Sequence, residues 1–196
     1  MKKITTVVLL CLFTFSQAQK GLKITYLKSS NGTLIENQDP VLVFANELET
    51  LVTTQNMQNG KSSFPFEQSL IQRSNNSNFQ ITQLGKKKSV TTIDSTSLGK
   101  QNFEFSEETK SILGYTCKKA KTIINSNTIE LWYTNELKIK GAPTVLGQNI
   151  GLVLEMIRNG NYAISAKKIE KLKSVNPKQI LEKNTTKSPT LDGLSY

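Results

Sequence analysis

The stretch "GLVLEMIRNGNYAISAKKIEKL", residues 151–172, decides the fold. Leu152, Leu154 and Met156 alternate with Val153, Glu155 and Ile157, a period of two that suits a strand and not a helix. Asn159-Gly160 interrupts the pattern, which resumes in "NYAISAKKIEKL". An Asn-Gly pair between alternating runs predicts a β-hairpin, because both residues tolerate the positive φ that a tight turn needs. Working outward, "YTCKKAKTII", the turn "NSN" and "TIELWYT" predict a second hairpin, with Ile129, Leu131 and Tyr133 on one face. "LKITYLK" followed by Asn31-Gly32 predicts a third strand and turn. Val41 to Phe44 and Leu51 to Thr54 are β-favouring, and "NFQITQL", "KSVTTID" and "QNFEFSE" add further strands. Residues 56–77 are polar and read as a long loop. The expected fold is mainly β: a single curved antiparallel sheet, a half-barrel-like meander of hairpins, with few short helices.

The two ends read differently. "MKKITTVVLLCLFTFSQAQK" has a basic start at Lys2 and Lys3, an apolar run to about Phe15, and small residues at Ser16 and Ala18. That is the pattern of a secretory signal, residues 1–18, cut after Ala18. Its apolar run is shorter than the roughly 20 residues a membrane span needs. No small residues precede Cys11, so a lipid anchor there is not expected, and no later segment is apolar enough to span a bilayer. The expected location is extracytoplasmic: periplasmic, outer-membrane-associated or secreted. Residues 19–174 read as one β domain. Residues 175–196, "VNPKQILEKNTTKSPTLDGLSY", read as a polar, flexible tail.

Composition removes whole classes of chemistry. The chain of 196 residues has no histidine, which excludes Ser-His and Cys-His pairs, histidine general bases and His-ligated zinc. Beyond the leader only Cys117 remains, so no internal disulfide can form and the hydrophobic core must carry stability. A formal charge of +10 suits an anionic partner, but nucleic acid is the poorest candidate outside the cytoplasm. The lysines are scattered: Lys119 and Lys121 share a strand face, Lys167 lies on the face of Ile169, Lys168 points the other way, and Lys86 to Lys88 lie in a turn. They read as a solvated surface.

The loop ahead of the deciding hairpin, "GAPTVLGQNIGLVLE" (residues 141–155), carries three glycines and a proline. It lacks the lysine and the following helix of a phosphate-binding loop, so it reads as a bent connection in which Gly151 turns the backbone into a strand. Two Ser-x-x-Lys matches, Ser97 to Lys100 and Ser165 to Lys168, fall on a turn and a strand. Neither places the pair on one helical face, as serine-lysine acylases require. Cys117, in an apolar-flanked strand beside Lys118 and Lys119, reads as a packing residue. Trp132 reads as core on the sheet face opposite Leu131, and Glu107 with Glu108 as a solvated turn. No catalytic, metal-binding or cofactor-binding residue is assigned, and no cofactor is expected.

At "ILGYTCKKA", "LWYTNEL", a Gly-Pro-containing loop and "GLVLE", the chain resembles the GLPGLI family, secreted or periplasmic proteins of Bacteroidetes with no established molecular function. Of the six-letter signature, Gly151 and Leu152 are identical and Val153 is similar, while Gln148 and Ile150 stand where a glycine and the proline belong. The resemblance carries over no site residue. Separately, the long run of alternating strands without a catalytic constellation predicts a non-enzymatic protein that binds a lipid or another apolar or anionic ligand on a curved sheet. This is by fold-level analogy with half-barrel lipoprotein carriers, with Leu152, Leu154 and Met156 lining the concavity. The alternative is an accessory protein docking on an outer-membrane receptor or surface complex through a sheet edge or lysine-rich face. An enzyme would need an arranged set of carboxylate, Ser-Lys or Tyr groups, and none is legible.

Overall fold

The computed structural model describes residues 20–85, 88–96 and 98–186. Residues 1–19, on which the expected leader and Cys11 fall, together with Lys86, Lys87, Ser97 and residues 187–196 of the expected tail, lie outside the described residues. The first half of the domain runs β1 (Gly21–Ser30), β2 (Thr33–Leu34), β3 (Val41–Ala45), β4 (Glu49–Thr54), helix α1 (Gln55–Gln58), β5 (Phe66–Gln72), β6 (Ser77–Gly85) and β7 (Lys88–Asp94). The second runs β8 (Glu104–Ile112), β9 (Tyr115–Ile124), β10 (Asn127–Thr134), β11 (Leu152–Arg158), β12 (Tyr162–Leu172) and helix α2 (Pro177–Thr186). All pair antiparallel in a single open sheet, in the order β7-β6-β5-β4-β3-β1-β12-β11-β10-β9-β8, with β2 hydrogen-bonded to the end of β1. The mainly β, single-sheet expectation stands.

The turns follow the residues that form them. Asn31-Gly32, Leu113-Gly114, Asn125-Ser126 and Asn159-Gly160 all hold positive φ, the backbone that two-residue and related hairpin turns demand. The strand order shows how the sheet must bend. β7 and β8 are consecutive in sequence but occupy opposite edges. Asp94 to Glu104 is ten residues apart, a reach of at most about 36 Å. Eleven flat strands would set those edges about 48 Å apart, so the sheet curls.

Two cores lie on opposite faces of β3, whose five residues are all buried. Val41, Val43 and Ala45 join Leu22, Ile24 and Tyr26 of β1, Leu131 of β10 and most of β11 in the larger core. Leu42 and Phe44 join Leu51, Leu70, Ile81, Val175 and Leu181 in the smaller one.

Three expectations change. Residues 66–72, read within a loop, form β5, which buries Gln68, Leu70 and Ile71. Part of the expected tail is helix α2, and it covers the smaller core. Its buried Asn184 is satisfied inside the protein: it donates to Gln68 Oε1 at 2.9 Å and accepts from Gln58 Nε2 at 3.1 Å. Composition alone counts such residues as solvated, which is why the helix was not legible. Finally, Leu152, Leu154 and Met156 do not line an open concavity. Leu152 and Leu154 are fully buried and Met156 nearly so. A register shift opposite Trp132/Tyr133 also breaks their alternation, pairing Tyr133 with Val153 and Thr134 with Leu152.

Candidate functional site

The loop between β10 and β11 is built to hold one shape. Gly141 N donates to Gly151 O at 3.1 Å, and Val153 N donates to Gly141 O at 2.8 Å, so the loop's two ends are tied together. Gln148, wholly buried, donates from Nε2 to the carbonyls of Ala142 and Thr144. Gln101 clamps the loop from outside: its Oε1 accepts from Gly147 N at 2.9 Å and its Nε2 donates to Val145 O at 3.1 Å. Gly147 holds φ +81°, and a Cβ there would lie 2.8 Å from Leu131 Cδ1. Two glutamines and a glycine fixed against the core make this loop a rigid ridge.

A cleft lies against each part of the ridge. The first, about 360 Å³, is lined by Phe103, Phe105, Gln101, Asn102, Asn149 and Ile150, with Leu98 beside them. Phe105 is 62% exposed. It stands edge-on to Tyr133 at 6.1 Å and tilted against Phe103 at 6.3 Å. The second cleft, about 260 Å³, runs from Pro143, Thr144 and Val145 to β4, β5 and β6, where Val52, Ser69, Asn78 and Gln80 meet it. Asn78 is 6% exposed and its Oδ1 has no hydrogen-bond partner. Glu67 contributes the one carboxylate, which accepts from Gln80 Nε2 and Thr82 Oγ1, each at 3.3 Å. Amides and two aromatic rings line the first cleft, and amides and hydroxyls the second. Such groups orient a neutral polar ligand. Among the described residues no three His, Cys, Asp or Glu side chains come together to hold a metal ion.

The residues singled out from sequence fall elsewhere. Cys117 is fully buried, and burial pushes its thiol up from the usual 9.0 to about 11 despite the neighbouring Lys110. Trp132 is buried, but its ring faces are met by cations: Lys110 Nζ lies 4.2 Å and Lys119 Nζ 5.7 Å from its centroid. Lys110 pairs with Glu155, and Ser165 Oγ donates to the same carboxylate at 2.8 Å, while Lys168 pairs with Glu170 at 3.0 Å. Ser165 and Lys168 are therefore not coupled. Glu107 and Glu108 sit at a register shift in β8 and pair with Lys118 at 3.6 Å and Lys119 at 3.2 Å. The cleft residues Asn78, Gln80, Gln101 and Phe105 escaped the sequence reading because polar or aromatic residues on a strand or turn carry no motif. The exposed Phe105 next to Phe103 was the one available signal.

Residues 24–196 match a family model described as the N-terminal domain of N-glycanase peptide. Two solved structures of PNGF-II are similar. One, in space group P21, shares 43% identity over 83% of this chain and 30% of that chain, with a TM-score of 0.78. The other, in space group C2, shares 42% over 82% of this chain and 29% of that one, with a TM-score of 0.76. The chain thus spans less than a third of the length of those structures. No curated protein matches. These findings correct two expectations. The GLPGLI resemblance rested on hairpin segments that many antiparallel sheets share and on two identical letters of a signature, whereas the family match covers nearly the whole described domain. The expectation of a non-enzymatic protein of unknown function falls too, since the matched family is named for an enzyme, and the receptor-docking alternative is not favoured. The chain belongs to the N-glycanase N-terminal-domain family.

Proposed function

We propose that the protein works on N-glycosylated substrates, as the N-terminal domain of an N-glycanase, the class of amidase that releases an N-linked glycan from its asparagine. The observation that carries this reading is the 43% identity to PNGF-II over 83% of the chain. The ridge and its two clefts support it, since their amides, hydroxyls and exposed aromatic ring suit a glycosylated chain better than a lipid or a phosphate. The signal-like leader supports an extracytoplasmic setting for this work.

Incubation with an N-glycosylated glycopeptide, followed by mass spectrometry of both products, tests the reading. The expected outcome is an intact released glycan and an aspartate where the glycosylated asparagine stood, or, where the chain acts by holding substrate, tighter binding of the glycopeptide than of its unglycosylated form. A glycopeptide left intact and bound no better than the bare peptide would overturn it.

A further inference from the structure

An open sheet leaves two edges, and the two edges of this one differ. β8 is guarded: it carries Glu104, Glu107, Glu108 and Lys110, and a register shift between Ser106 and Thr109 kinks it. Charges and bulges of that kind keep foreign strands from pairing. The interior of β7 has neither device. Between Lys88 and Asp94 it reads Ser-Val-Thr-Thr-Ile, uncharged and, after Ser89, β-branched throughout. Its pairing with β6 holds one register from Asp94 to Ser89, and the irregularity at Gln83/Gly85 falls beyond that stretch. The outer side of β7 therefore presents a regular ladder of backbone groups, with Val90 48% and Ile93 59% exposed beside it.

The strand is also complementary to itself. Laid antiparallel against a second β7 with Thr91 opposite Thr91, it sets Val90 opposite Thr92, Ser89 opposite Ile93 and Lys88 opposite Asp94, each twice. Opposite charges then meet at both ends, and β-branched side chains pair between them. Asp94 is already oriented at its end, where its Oδ1 accepts from Thr96 N at 2.8 Å and from Thr96 Oγ1 at 3.0 Å. A parallel pairing in register would instead set like charges side by side. A two-fold contact uses the same patch on both copies and closes on itself. The guarded β8 then ends each joined sheet, so assembly stops at two.

We propose that β7 is an interaction surface for a second copy of this chain, joined edge to edge by antiparallel strand addition centred on Thr91. A contact of one strand per copy is small, so the dimer is weak and concentration-dependent. It stands apart from the glycan reading.

Sedimentation velocity of the full chain, from micromolar to submillimolar concentration, tests this. Reversible dimerisation is expected, with amide exchange slowing within Ser89 to Ile93 as concentration rises. Lys88→Asp and Asp94→Lys each set like charges opposite one another, and each should weaken the dimer at least about tenfold. Mixed in equal amounts, the two variants carry complementary edges, one acidic and one basic, and should form a heterodimer of wild-type strength. Structural damage cannot produce that rescue. Val90→Lys, at an exposed position away from Thr96, should break the dimer without lowering the thermal midpoint. A monomer at every concentration overturns the proposal, as do single variants that dimerise like the wild type or a folded mixture that stays monomeric. A dimer that survives Val90→Lys overturns it even where Asp94→Lys does not fold. Exchange protection of β7 by an unrelated extended peptide, but not by more of the chain itself, assigns the edge to another partner and overturns it as well.

Discussion

Tyr26 donates its hydroxyl to Val153 O at 2.7 Å from a fully buried position, joining the sheet's first strand to its second-last one. Burial holds the phenol proton far above the usual tyrosine range. Tyr26→Phe removes the donor and leaves the carbonyl short of a partner, so it should cost about 1–2 kcal/mol in urea unfolding. Cys117 offers a pH-linked test. Its folded thiol is raised from 9.0 to about 11 by burial, so the unfolded chain releases the proton first. The thiol's contribution is fully present below pH 9 and is lost as pH rises toward 11. Denaturation curves across that window should show falling stability, less steeply in Cys117→Ala. At pH 8 a disulfide reagent should label native Cys117 at least about a hundredfold more slowly than the unfolded chain.

The loop between β10 and β11 is the element on which both clefts depend. Gly151 holds φ +156°, and a Cβ there would lie 2.8 Å from the Thr134 carbonyl oxygen, a backbone atom that cannot move aside. Gly151→Ala should therefore cost about 2–3 kcal/mol, read as a lowered urea midpoint, and should loosen the ridge. Gly147 is a softer case, since its nearest obstacle is a leucine side chain. The hairpins themselves were legible in the sequence because Asn31-Gly32 and Asn159-Gly160 announce their turns locally. β5 was not. Its alternation is masked by Gln68, a polar residue buried through its bond from Thr53 Oγ1 at 3.0 Å and its bond from Asn184.

At the scale of the molecule, the sheet is closed in its middle by its most distant partners. β1 pairs β12 along its whole length, from Gly21 opposite Leu172 to Ser30 opposite Tyr162. Helix α2 follows directly and seals the smaller core, with Val175 so close to Gly21 that a Cβ at Gly21 would lie 1.8 Å from Val175 Cγ1. Asn46 Nδ2 donates to Val175 O at 3.2 Å, fixing the same junction. Ending the chain at residue 174 should expose Leu42, Phe44, Leu51 and Leu70, raise binding of a hydrophobic dye and lower the thermal midpoint. The point substitution Leu181→Ala should cost about 2–4 kcal/mol by the same loss.

The sequence by itself determined the β class, the positions of most strands and the rigid turns between them, because period-two alternation and Asn-Gly turns act over a few residues. It also determined the absence of histidine chemistry. Only the tertiary structure decided that Leu152 and Leu154 pack shut, that the polar tail holds a helix packed on the smaller core, and that Pro143 to Ile150 form a ridge with a cleft at Thr144 and another at Phe105. Those outcomes depend on pairings between residues far apart in the chain, such as Gly21 with Val175 and Gln68 with Asn184, and no local pattern encodes which distant group will satisfy a given amide.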